Sequence, residues 1–143
     1  PGAQDQAVSY LLDTNVLSEL VRVRPHAGVV RWVGSQPAAA LHLSVLTLGE
    51  IRSGMERVTD RRRREKLRAW LEEDLPSWFE GRLLAIGAEV ADRWGRLRSE
   101  VKTPVPAVDS LLAATALHHD LRLVTRNTAD FRYPGLELVN PWS

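Results

Sequence analysis

The sequence predicts an α/β fold, with helices on both faces of a central, mostly parallel sheet of four to five strands. Three observations carry that prediction. Short apolar runs such as Tyr10-Leu11-Leu12, Leu41–Ser44 and Arg122–Thr125 recur along the chain, each the length of a buried strand. Segments with helically spaced apolar residues separate them, so the strands are joined by crossovers and pair in parallel. The first run stops at Asp13, and Thr14, Asn15 and Ser18 after it are residues that start helices. A carboxylate therefore stands where a strand hands over to a helix, at the sheet edge where open α/β folds bind ligands.

The elements follow in order. After Tyr10–Leu12 comes a helix over about Asn15–Arg22, which Pro25 forces to break. Val29, Val30, Trp32 and Val33 have the spacing of a second short helix, ended by residues 34–37. Leu41–Ser44 is the second strand. Ser44 caps a helix that Val45, Leu48, Ile51 and Met55 carry to about Val58. Arg61–Leu75 is a charged helix bearing Leu67, Trp70 and Leu71, interrupted by Pro76. Leu83–Ile86 is the third strand, and Gly87–Glu100 is amphipathic through Val90, Trp94 and Leu97. Pro104 and Pro106 close that helix and open the next, which runs to His119, since proline is tolerated in a first turn. Arg122–Thr125 is the fourth strand, and a Pro134-Gly135 turn leads to a last strand at Leu136–Val139.

At 143 residues the chain suits one domain with a real core and is too short for two, so residues 1–143 read as a single domain with residues 1–7 a disordered tail. There is no cysteine, which removes disulfides and thiolate metal sites and fits a reducing, cytoplasmic setting. No apolar run approaches the roughly 18 residues of a membrane span, so no membrane partner is expected. A net charge of +1 names no partner, but its distribution is uneven. Arg57, Arg61, Arg62, Arg63, Arg64, Lys66 and Arg68 face only Asp60 and Glu65. Such a run is a solvated helix face or a phosphate-contacting patch, and periodicity does not separate the two.

Asp109 lies in the first turn of a helix that is apolar nearly all round. The helix dipole favours a carboxylate there by about 0.3–1 kcal/mol, and a bound cation nearby would favour it more. Glu50 shares a small-residue helix face with Thr47, Ser53 and Gly54, which leaves it either solvent-exposed or open to a ligand. Asn127 and Asp130 follow the fourth strand, as turn residues or as further members of a site. In a parallel sheet Asp13, Glu50, Asp109 and Asp130 can all reach the carboxyl-terminal edge. Carboxylates gathered so closely repel unless a cation neutralises them. All-oxygen ligands, with no cysteine and no histidine pair at metal spacing, point to Mg²⁺ or Mn²⁺, and Mg²⁺ binds through one or two carboxylates plus phosphate oxygens.

These residues, in this order, resemble the PIN-domain family of metal-dependent nucleases. The motifs are Leu11-Leu12-Asp13-Thr14-Asn15, Leu43-Ser44 with Glu50, the Asp109 helix with Ala113-Ala114, and Leu123-Val124-Thr125-Arg126-Asn127 with Asp130-Phe131. The length and the ending Val139-Asn140-Pro141-Trp142 look most like the VapC-type toxins of bacterial toxin–antitoxin pairs, in their FitB-like branch. The resemblance implies a PIN-like α/β/α sandwich and a ribonuclease inhibited by a small VapB-like antitoxin that binds operator DNA. It also implies a homodimer and a toxin–antitoxin hetero-oligomer. By position Asp13, Glu50 and Asp109 match the family's acidic residues. Where many members carry an aspartate directly after Thr-Arg, this chain has Asn127, with Asp130 three residues on, and either could fill the fourth position. Thr14 and Thr125 would support the site with their hydroxyls.

The expected chemistry is endonucleolytic cleavage of RNA with a divalent ion held mainly by Asp13 and Asp109, completed by Glu50 and Asp130. Arg126 and the run Arg61, Arg62, Arg63 and Arg64 are candidates to hold the RNA backbone. A competing reading is a regulatory partner without turnover, whose acidic pocket accepts a partner's arginine, since carboxylates bind guanidinium groups well. A receiver-like phosphoacceptor also gathers carboxylates at strand ends. It would need a lysine leaving a late strand, where this chain has Thr125-Arg126-Asn127.

Overall fold

In a computed structural model, residues 7–143 are described, and the tail expected over residues 1–7 lies, but for the exposed Ala7, outside them. Five strands form one parallel sheet in the order β3-β2-β1-β4-β5. The central strand is β1 (Tyr10–Leu12), flanked by β2 (Leu41–Ser44) and β4 (Arg122–Val124); the outer strands β3 (Leu83–Leu84) and β5 (Leu138–Val139) have two residues each. Helices α1 (Thr14–Leu20), α2 (Ala27–Gly34) and α3 (Val45–Met55) follow the first two strands. Next come α4 (Arg61–Ala69), α5 (Leu75–Trp78), α6 (Ala88–Glu100) and α7 (Ala107–His118).

Alternation along the strands sorts the core into two layers. Leu11 and Leu123, which pair across β1 and β4, point to α6 and α7, where they meet Val90, Leu97 and Leu112. Leu12, Leu43 and Val124 point the other way, onto Val16, Val29, Ile51 and Trp70. Both sheet faces are covered, as a purely parallel sheet requires. Ala113, Ala114 and Ala116 are fully buried on α7, so α6 can lie close against it. Trp94 of α6 donates its indole N–H to Ser110 of α7 at 2.8 Å, which fixes the helix pair next to Asp109.

Several boundaries differ from the sequence reading. Helix α3 ends at Met55 and not near Val58, and β3 and β5 are shorter than Leu83–Ile86 and Leu136–Val139. The larger difference is at Pro76, which does not end the charged helix. Instead the chain widens into a π-helical segment, Trp70–Asp74, and Pro76 lies in the first turn of α5. A proline ring collides with the carbonyl four residues earlier in a regular helix, and a wider turn relieves that collision. The turn before the last strand does form at Pro134-Gly135, with Gly135 at φ +80°, where a side chain would be strained.

Candidate metal centre

Asp13 ends the central strand and begins α1. Its backbone N–H still bonds to Val124 O at 2.9 Å, so it belongs to the sheet ladder, while its side chain caps the helix. Asp13 Oδ1 accepts from Thr14 N at 2.7 Å. Asp13 Oδ2 accepts from the buried hydroxyl of Thr125 at 2.8 Å and from Asn15 Nδ2 at 3.4 Å. Asp13 thus caps the helix and faces the other acids at once. Asp13 is only 9% exposed. Burial pushes its pKa up; the hydrogen bonds from Thr125 and Thr14 oppose that, and the charges of Glu50 and Asp109 add to it.

Asp109 projects from the first turn of α7, half-buried. Burial raises its pKa as well, with Asp130 and Glu50 adding like charge. Asp13 thus feels the charges of Glu50 and Asp109, and Asp109 those of Asp130 and Glu50. Glu50, exposed on α3, accepts from the Thr14 hydroxyl at 2.6 Å, and that hydroxyl lies 3.4 Å from Thr47 Oγ1. Asp130 sits in a short 3₁₀ turn, Thr128–Phe131, after β4. Asn127 contributes backbone: its N–H donates to Thr125 Oγ1 at 3.0 Å and its carbonyl accepts from Asp130 N at 3.0 Å.

Two residues escaped the sequence reading as members of the site. Asn15 bridges Asp13 Oδ2, Thr125 Oγ1 at 3.3 Å and the backbone N–H of Arg126 at 3.4 Å, and its signal was its place two residues after Asp13. Tyr133 is buried against the same acids; burial raises its phenol pKa, with Asp109 and Asp130 adding to the shift, and nothing in its sequence neighbourhood foretold this.

Among the described residues, none of the four carboxylates has a Lys, Arg or His within ion-pair distance. The contrast with the rest of the chain is sharp. Glu56 pairs with Arg64 at 2.5 Å, Glu72 with Arg52 at 2.6 Å and Glu65 with Arg68 at 2.6 Å. Also among the described residues, no three Asp, Glu or His side chains stand close enough to hold one ion together. In kind, the donors gathered here are the carboxylate oxygens a hard cation prefers, and Mg²⁺ commonly takes only one or two of them beside water and phosphate oxygens.

The arginine candidates divide. Arg64 is tied to Glu56 on a solvated face, the first of the two meanings of such a run. Arg62 and Arg63 line a separate cleft, and Arg61 has no carboxylate partner among the described residues. Arg126 stacks over Trp142, with its guanidinium carbon 5.5 Å from the ring centroid.

Comparison with known proteins places the chain in a family. The model for the PIN domain matches residues 10–135. The chain is 36% identical to the toxin FitB of Neisseria gonorrhoeae over 135 residues, covering 92% of this chain and 97% of that protein. It is 33% identical to the VapC ribonuclease Y4jK of Sinorhizobium fredii, covering 92% and 96%. A crystal structure of FitAcB from Neisseria gonorrhoeae superposes with a TM-score of 0.87 at 34% identity, over 93% of this chain and 98% of that one.

Proposed function

Since the chain belongs to the PIN-domain family, we propose that it is a divalent-metal-dependent endoribonuclease, the toxin of a toxin–antitoxin pair. The ribonuclease activity follows the VapC relative, and the antitoxin partner follows the FitAB and VapBC complexes that share its fold. A homodimer and the one-domain organisation of residues 1–143 belong to the same reading. The observation that carries it is the group of four carboxylates that, among the described residues, have no cationic side chain within ion-pair distance, Asp13 and Asp109 being raised in pKa by burial and by the like charge of their acidic neighbours.

Asp13 and Asp109 would hold Mg²⁺ or Mn²⁺, with Glu50 and Asp130 acting on the ion through water, since no third side chain stands close enough to join them directly. When bound, the ion supplies Lewis acidity that makes water a nucleophile near neutral pH and neutralises charge on the scissile phosphate. The remaining work belongs to the chain. Thr125 and Asn15 hold Asp13 Oδ2, and Thr14 N holds Oδ1, so the carboxylate keeps one orientation before any ligand arrives. Each ionised oxygen can accept twice, and Oδ1 has one lone pair left over. The Thr14 hydroxyl sets Glu50 in the same way.

The test is cleavage of single-stranded RNA by the purified chain with Mn²⁺. Asp13→Asn and Asp109→Asn should each abolish cleavage, as should EDTA, while circular dichroism shows the fold intact. Cleavage that persists in both variants rules the mechanism out. If the native chain never cuts RNA yet binds a guanidinium-bearing peptide at these carboxylates, the non-catalytic alternative stands in its place.

A further inference from the structure

We propose that the cleft between the turn after α1 and helix α4 is a second contact for single-stranded RNA phosphates, on the substrate's path from the carboxylates; this rests on the ribonuclease reading. The cleft has a volume of about 800 Å³ and is lined by Arg22, Arg24, Arg62, Arg63 and Lys66, with Asp60 as its only acid. Asp60 does not neutralise them as an ion pair: its Oδ1 accepts from the backbone N–H of Arg62 at 3.0 Å and of Arg63 at 3.5 Å, capping α4. Among the described residues Arg24, Arg62, Arg63 and Lys66 have no carboxylate within 4.0 Å, and Arg22 touches Glu19 through one nitrogen at 3.2 Å. A chain with a net charge of only +1 thus concentrates five cations in one place.

Position selects the ligand. Asp13 caps the start of α1 and the cleft opens at its end, seven residues on. At 1.5 Å per residue that helix is about 10 Å long, the rise of about three stacked nucleotides. One strand whose scissile phosphate meets the carboxylates can therefore lay a neighbouring phosphate on these cations. Guanidinium forks match phosphate oxygens, and two elements supplying them give a track in place of a point. An acidic peptide would meet the same charge but has no reason to continue into the carboxylate site.

The experiment compares the native chain, the triple variant Arg24→Ala, Arg63→Ala, Lys66→Ala and a control, Arg31→Ala, Arg93→Ala, Arg96→Ala, of equal net charge. Binding of a labelled twelve-nucleotide RNA is followed by anisotropy in EDTA between 50 and 200 mM salt, with thermal melts confirming the fold. The cleft variant should bind about tenfold more weakly or worse, with a salt slope smaller by about two, given about 0.7 per lost phosphate contact. The control should keep the native slope. Equal loss in both variants, or none in either, overturns the proposal. So does unchanged RNA binding with lost binding of a polyglutamate peptide, which would make the cleft a protein-docking site. Cleavage with Mn²⁺ is scored separately, so a chain that binds RNA in the cleft yet never cuts it refutes the nuclease reading and leaves the cleft standing.

Discussion

Replacing Thr125 by valine keeps the shape of a fully buried side chain and deletes the hydroxyl that donates to Asp13 Oδ2 at 2.8 Å. A hydrogen bond to a buried charge contributes about 1.5–3 kcal/mol, and no cavity is added because the volumes match. Asn127 N and Asn15 Nδ2 lose an acceptor too, but Asn127 is exposed and water can replace it. Thr125→Val should therefore cost about 2–3 kcal/mol at pH 7 in EDTA, a fall in Tm of about 6–10 °C. The pH dependence has a definite sign. Asp13 already has its pKa raised above 3.8 by burial, and losing a donor raises it further. A carboxylate raised on folding costs stability where it is ionised, and that cost disappears as pH falls through the folded value to below the unfolded one. The Thr125→Val penalty should thus be full at pH 7 and shrink to about 1 kcal/mol, the worth of a neutral hydrogen bond, below pH 3.8. Urea unfolding followed by tryptophan fluorescence at the two pH values measures it. A loss below about 0.5 kcal/mol at pH 7, or an equal loss at both values, would refute the hydrogen-bond account.

Metal affinity should fall as pH drops through the raised pKa values of Asp13 and Asp109, since protons compete for the same oxygens; calorimetric Mn²⁺ titrations at pH 5 and 7 check this, and equal affinities would contradict it. Buried Glu19 accepts from His26 N at 2.9 Å and from Arg22 at 3.2 Å, with its pKa lowered first by the His26 bond. Its stabilisation is present above the ordinary value of 4.5 and lost as pH falls toward its depressed one. Glu19→Gln should then flatten the acid side of the stability curve, read as urea midpoints from pH 7 to 3. Leu43→Ala, at a strand position with no exposure, should cost about 3–5 kcal/mol with the Mn²⁺-dependent activity of the folded fraction retained; a cost under 1 kcal/mol would show that β2 is not central to the core.

The middle of the fold was legible because short apolar runs fully covered on both faces leave few alternatives. Leu11, Leu12, Leu43, Leu123 and Val124 fall where their pattern put them. The place of Asp13 was legible for a related reason, since an apolar run that stops at a carboxylate before helix-starting residues marks a strand handing over to a helix. The helix before Pro76 was not legible, because whether a proline ends a helix or is absorbed by a wider turn depends on what Trp70 and Leu71 pack against. Glu19 gave no sign of being buried: its neighbours in sequence are ordinary, and the backbone N–H that it accepts belongs to His26, beyond a break in the chain direction. Likewise the arginine run reads the same whether a residue pairs with Glu56 or lines a cleft. Only the fold brings Arg22 and Arg24 opposite Arg62 and Arg63.

The two outermost strands, Leu83–Leu84 and Leu138–Val139, are each a pair of residues long. Rims this short offer almost no backbone template for a neighbouring molecule to extend. Growth of the sheet into a second molecule is disfavoured at both of these rims. Each rim instead spends its few backbone groups on the strand beside it, as Val139 O does in accepting from Thr125 N at 2.9 Å.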